Sequence, residues 1–336
     1  MTQDIIHNSR TLTLYKANIN PDIKSYTVLV SDAWDYVEMF LKRSKNHNAL
    51  FFWRQAKDFF DAYKILPKES KALLAYYTIL NATKTLLIVK NILFIDQHGV
   101  SGEKINKKSS LVNESVIFKT NGILGSFATY LGETNNNNKY TLKNLLYNLV
   151  YIHRPYCLTF TSQQELFLPV ENVGFKWNTD NNEAWIGFEL QDKNINVKDI
   201  AALGSTWRQD QRSKFKNYIR QHQRFRYTPD LAAFETYHRK FRKRFHYIYS
   251  PQKLWYIKKD IVNSFTINRN SMTITFGAMH RLSELERYAP DVLSKHFESN
   301  HNWLITEFLN ISVPQFIDEI SCEITGQNFQ IPQRRI

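Results

Sequence analysis

Apolar residues recur at helical spacing through the first third of the chain, and at every second position near its middle. Asp32 can cap a helix to Leu41, and Asn46 or Asn48 a second running through Phe51, Phe52, Gln55, Phe59, Phe60 and Tyr63. Pro67 precedes a third helix, Ser70 to about Lys90, whose Leu73, Leu74, Tyr77, Leu80 and Ile88 predict an antiparallel pair with the second. The Lys-rich loop 96–110 follows, with His98-Gly99 closing the helical region as a C-cap or a ligand-proximal turn.

Alternation takes over from Leu158 to Leu190, and the Asn178–Asn182 turn reads as a hairpin loop. From Val197 helical patterning returns, with Pro229, Pro251, Pro290 and Pro314 as break points. The pattern predicts a mainly α, multi-helix α+β fold with a small antiparallel β-sheet inserted near the middle. It divides into a helical region 1–154 with a hairpin at 46–95, a β insertion at 155–192, and a basic helical region 193–336.

Charge changes this picture at one place. Between Arg208 and Lys259 stand 15 Lys and Arg against three acids, a net +12 out of +13 for all 336 residues. Aromatic residues are interleaved throughout, the footprint of a polyanion-binding surface. Read as helices over 206–226, 229–249 and 251–263, the block puts Arg208, Arg212, Lys216, Arg220 and Arg224 on one i, i+4 stripe able to neutralise successive phosphates. Arg226, Arg239, Arg242, Lys243 and Arg244 extend it. The same face could dock an acidic protein or simply be solvated.

Other chemistries lack a sequence warrant. Cys157 and Cys322 are far apart and in no metal-ligand spacing, so a reducing compartment is expected and no disulfide or zinc site. His153, His280, His296 and His301 form no metal-ligand pair by spacing, and no phosphate-cradling glycine loop or nucleophile elbow appears, so neither metal nor cofactor is expected. The amino terminus has no apolar core of a secretory signal. The longest apolar run, Leu86 to Ile95, is about half of the roughly 20 residues a membrane span needs. A cytoplasmic protein is the expectation.

Two separated stretches carry a resemblance. Gln55-Ala56-Lys57-Asp58-Phe59-Phe60-Asp61-Ala62, then Ser70-Lys71-Ala72-Leu73-Leu74-Ala75-Tyr76-Tyr77 through Asn81 and Lys84, then His98-Gly99, resemble the N-terminal block of the bacterial YaaC family. Leu282 to Pro290, with Arg287-Tyr288, and Trp303 to Ile324 resemble that family's later blocks, though Ala72 stands where the family often has Pro. The resemblance implies an architecture and no settled reaction. The first block is also similar to HEPN-type helical hairpins.

Two sets of candidates follow. HEPN ribonucleases pair an Arg, stabilising phosphate charge, with a His acting on the 2′-hydroxyl or leaving oxygen. Arg239 and His246, with six residues between them, would share a helix face two turns apart. Gln55, Tyr77, Asn81, Lys84 and His98 form the second set, with Tyr77, Asn81 and Lys84 on one face, either lining a pocket or satisfied within the helix pair. The function expected is non-enzymatic binding of RNA or DNA, with a protein partner in a larger assembly such as a bacterial defence complex as context. A metal-independent ribonuclease and a protein-interaction scaffold are the alternatives.

Overall fold

The computed structural model describes residues 2–190, 200–210, 218–228, 231–252, 254–261 and 265–332. The chain opens with short strands β1 (Thr2–Asp4), β2 (Ile6–His7), β3 (Arg10–Thr11) and β4 (Val28–Leu29). Helices α1 (Trp34–Arg43), α2 (His47–Ile65) and α3 (Ala72–Val89) follow. Strands β5 (Val100–Lys104) and β6 (Glu114–Phe118) then lead through α4 (Ile123–Tyr130) to β7 (Asn138–Thr141), α5 (Leu142–Tyr147) and α6 (His153–Thr159). After these come β8 (Phe167–Asn178), β9 (Glu183–Leu190), β10 (Trp207–Gln209), β11 (Tyr218–Gln221) and β12 (Phe225–Arg226). Helix α7 (Ala232–Arg242), β13 (Phe245–Tyr247) and β14 (Trp255–Lys258) precede α8 (Ser271–Tyr288), α9 (Pro290–Phe297), α10 (Asn302–Thr325) and β15 (Phe329–Gln330).

The fold is α+β, with 44% helix and 20% strand, and it corrects the expectation of a small inserted sheet. Strands far apart in sequence form one curled eight-stranded antiparallel sheet, ordered β10-β11-β9-β8-β14-β13, with β1 paired to β8 and β12 to β9. The long strand β8 makes this possible. Its register shifts between Glu171 and Gly174, where Asn172 has φ 50°, so Val170 and Val173 can both face inward. The half before the bulge pairs with β14, and the half after it with β1.

Two apolar cores result. The first packs α1, α2, α3, α8 and α10 together with the β5–β7 sheet. The second fills the concave side of the large sheet, where Phe175, Ile186 and Phe188 meet Phe234, Tyr237 and Phe241 of α7. Residues 15–18 link them: Tyr15 belongs to the sheet core, Ala17 to the helical one.

Local signals explain much of the helical half. Asn46 caps α2 by accepting the Ala49 N–H at 3.1 Å, and Asp32 accepts the Trp34 N–H at 3.0 Å at the start of α1. Helix α3 is long and apolar enough to cross a membrane, but 67% of it is buried inside the protein, between α2, α8 and α10. It ends with Asn91, not Gly99, in the left-handed position (φ 54°), and the Ile92 N–H closes the turn onto Leu87 O at 2.8 Å. Gly99 (φ 73°) sits instead where this loop meets α4, and a Cβ there would lie 2.8 Å from Asn121 O. Pro290 opens α9, as its position predicts, whereas Pro314 does not break α10, which runs through it.

Candidate functional site

The N-terminal candidates do not converge on one pocket. Asn81 is buried in the core, Tyr77 stacks on Phe59 with ring centroids 5.4 Å apart, and Gln55 is half-buried on α2. Lys84 pairs with Asp96 at 2.7 Å and lies 5.0 Å over the Phe52 ring. His98 goes elsewhere. Its Nδ1 shares a hydrogen bond with the Tyr76 hydroxyl, and its ring lies 5.5 Å from that of His280 on α8. It also borders a cleft of about 560 Å³ with Lys119 and Asn121.

Behind His98 a polar chain runs through the helical core. Glu284 accepts from the Gly102 N–H at 3.1 Å and from Arg281 at 3.0 Å. Arg281 reaches the fully buried Glu114 at 2.7 Å, and His296 approaches that same carboxylate at 3.4 Å. A Cβ at 102 would stand 2.0 Å from a Glu284 oxygen, so a larger residue there must push the Glu284 and Arg281 side chains aside. Burial, reinforced by His98 and Arg287, pushes His280 down to about 3, and burial also lowers His98. Both rings are neutral at neutral pH. The motifs that carry the family resemblance therefore meet here, with Tyr76 and His98 against α8, which supplies Arg287.

The basic block is not a helical stripe. Arg208 lies on β10, Arg220 on β11, Arg226 on β12 and Arg224 just before it; Arg212 and Lys216 fall outside the described residues. The reason is the apolar partner set. Ile219 enters the sheet core and pairs with Phe188 of β9, so Tyr218 and Arg220 point to the opposite face. There Arg220 binds Asp210 at 2.9 Å, Arg224 pairs with Glu183, and both guanidinium groups lie over Trp185 at 5.3 and 5.6 Å.

The cations of α7 and its exit divide further. Arg242 is buried and donates to Tyr15 O at 2.8 Å, Lys16 O at 2.7 Å and Phe245 O at 2.6 Å, which makes it a structural group and not a surface phosphate contact. Arg244 donates to Leu203 O at 3.0 Å and lies 4.0 Å from Asp260. Arg239, Lys240 and Lys243 are exposed and have no carboxylate partner among the described residues.

Those three line one cleft of about 370 Å³, between α7, Asn18-Ile19, the turn at 132–134 and Asn268 to Asn270. Arg239 donates from Nε to Ile19 O at 3.1 Å, which ties the side chain to the Asn18-Ile19 wall of the cleft. On the facing wall Arg269 and Glu133 neutralise each other at 2.8 Å. The cleft is thus polar and positive, with amide and hydroxyl groups from Asn268, Asn270 and Thr236 able to bond an anion that the cations attract.

Arg239 and His246 do not share a helix face, since α7 ends at Arg242 and His246 is on β13. His246 borders a small inner cavity that shares Asn18, Lys243 and Asn270 with the cleft. Its Nε2 is buried with no hydrogen-bond partner among the described residues, and burial holds its pKa well below the usual range. A helix-mounted Arg/His pair of the HEPN kind is therefore absent from these two positions. A grouping not singled out from the sequence lies at α6, where His153 and Cys157, four residues apart, meet Glu165 from beyond the helix end.

No curated protein and no solved structure matches the chain. A family model described as YaaC-like Protein matches residues 24–324, nearly its whole length, and the chain belongs to that family.

Proposed function

We propose that this YaaC-like protein binds nucleic acid, RNA or DNA, through its phosphates and without cutting it, and that the cleft beside α7 is where a strand docks. One observation carries the reading. Of the cations that α7 and the large sheet contribute, Arg239, Lys240 and Lys243 share a concave polar site and pair with no carboxylate among the described residues, whereas Arg220, Arg224 and Arg242 are bound internally. Unpaired cations in a cleft favour a phosphate chain, because nothing within the protein must be displaced to receive it.

The test is a titration of labelled single-stranded and duplex RNA and DNA across a salt series. Wild type is compared with the triple variant Arg239→Glu, Lys240→Glu, Lys243→Glu and with a charge-matched reversal of the exposed Lys104, Lys107 and Lys108. Loss of three phosphate contacts should shrink the slope of log affinity against log salt by about 2 to 3. The control should bind almost as wild type does, and the nucleic acid should be recovered intact. Equal losses in the two variants would reduce the effect to net charge and remove the cleft from the account. Absence of binding by wild type would remove the function.

A further inference from the structure

His153, Cys157 and Glu165 offer three different ligand atoms at one point. Helix α6 places His153 and Cys157 one turn apart on the same face, and the chain returns after the helix to bring Glu165 over both. The Cys157 sulfur is 3.4 Å from His153 Nε2, and a Glu165 oxygen is 3.3 Å from the same nitrogen. Tetrahedral zinc, with Zn–N near 2.0 and Zn–S near 2.3 Å, requires ligand-to-ligand edges of about 3.3 Å for N to O and about 3.6 Å for N to S. The two edges from His153 Nε2 are close to those values before any cation is present, and the sulfur and the oxygen lie within 4.8 Å of each other.

The surroundings are those of a ligand set. His153 Nδ1 lies 3.1 Å from Tyr147 O, which fixes the proton on that nitrogen and leaves Nε2, the nitrogen nearest Cys157 and Glu165, as the basic one. The other Glu165 oxygen is held by Arg154 at 2.6 Å, so the carboxylate is oriented with one oxygen facing the histidine. One hydrogen bond competes, from the Leu166 N–H to Nε2 at 2.9 Å, and a cation entering the site displaces it. Glu165 is part-exposed, so the site has an edge open to solvent.

We propose that His153, Cys157 and Glu165 bind a single divalent cation of the zinc class, with the fourth position left to water or an exchangeable ligand. One nitrogen, one thiolate sulfur and one carboxylate oxygen suit a borderline-soft metal and not calcium or magnesium. Two anionic ligands neutralise its charge. The cation ties α6 to the entry of β8, the strand on which the large sheet turns. This site is separate from the cleft at α7, and either can fail without the other.

The full chain is stripped by chelator, returned to metal-free buffer and titrated with Co²⁺, then with Zn²⁺ in competition. The expected result is one Co²⁺ per chain with a thiolate-to-cobalt charge-transfer band, lost in Cys157→Ser and kept in Cys322→Ser. Glu165→Gln, at the surface, should weaken affinity more than about 10-fold. No band with wild type, or a band that survives Cys157→Ser, overturns the proposal and leaves the three side chains as a hydrogen-bonded cluster. Should Cys157→Ser not fold, unchanged affinity in Glu165→Gln overturns it equally.

Discussion

Arg242 and Lys243 are neighbours in sequence with opposite fates. The buried stripe of α7 is Phe234, Tyr237, His238 and Phe241, and its spacing continues to Arg242, which is carried into the core where three carbonyl oxygens bind its guanidinium. Lys243 lies one residue on, facing the cleft. Arg242→Met should therefore lower the free energy of unfolding by about 3 kcal/mol or more, since charged hydrogen bonds are lost and buried carbonyls are left unpaired. Lys243→Met should leave stability within about 0.5 kcal/mol and weaken nucleic-acid binding instead. Urea unfolding and binding titrations on both variants read this directly, and equal effects on stability would refute the division. The sequence treats both residues as phosphate contacts because charge is visible in it and burial is not, although the apolar spacing pointing to Arg242 was there to be used.

At the scale of elements, α1, α2 and α3 were legible, whereas α5, α6 and the strands of the basic block were not, β14 standing where a helix over 251–263 was expected. Strands β10, β11 and β12 are two to four residues long, too short for alternation to register, while Lys and Arg at every fourth position imitate a helical face. Strands β11 and β12 take their identity from β9, which precedes them by about 30 residues or more, and β10 takes its own from β11. Pro314 misleads for a related reason: continuation of α10 depends on a contact from another helix. Proline removes the N–H that would bond Asn310 O, and the Tyr63 hydroxyl of α2 approaches that oxygen at 3.2 Å and Leu309 O at 2.6 Å. Tyr63→Phe should cost about 1 to 2 kcal/mol. In a Pro314→Ala background, where the backbone bond is restored, the cost should shrink, with a coupling of about 0.5 to 1 kcal/mol from a double-mutant cycle in urea. Zero coupling would mean that the hydroxyl answers Leu309 alone.

For the whole molecule, the segment around Tyr15 decides how the helical core and the sheet core hold together. Lys16 bonds Asp318 of α10 at 2.7 Å, the Asn18 side chain bonds Glu323 at 2.8 Å, and the Tyr15 N–H donates to His238 Nε2 of α7 at 3.1 Å. No periodicity announces such a strap, because its role lies in backbone and side-chain groups meeting partners more than 200 residues away. His238 makes the strap sensitive to pH. Burial, with Arg242 and Arg239 adding to it, pushes its pKa down to about 3, against about 6.5 in an unfolded chain. Because the folded value is the lower one, the unfolded state takes up a proton first as the solution is acidified. The stability contributed by neutral His238 is thus complete above about pH 6.5 and declines from there toward about pH 3, by up to about 1.4 kcal/mol per pH unit. His238→Gln keeps an acceptor within reach of the Tyr15 N–H and removes the titration. Unfolding free energies of the two proteins, measured from pH 8 to pH 4, should run parallel above about pH 6.5 and converge or cross below it as the wild type loses its advantage. A constant difference across the whole range would show that His238 is not held neutral, and the strap would then owe nothing to that ring's protonation state.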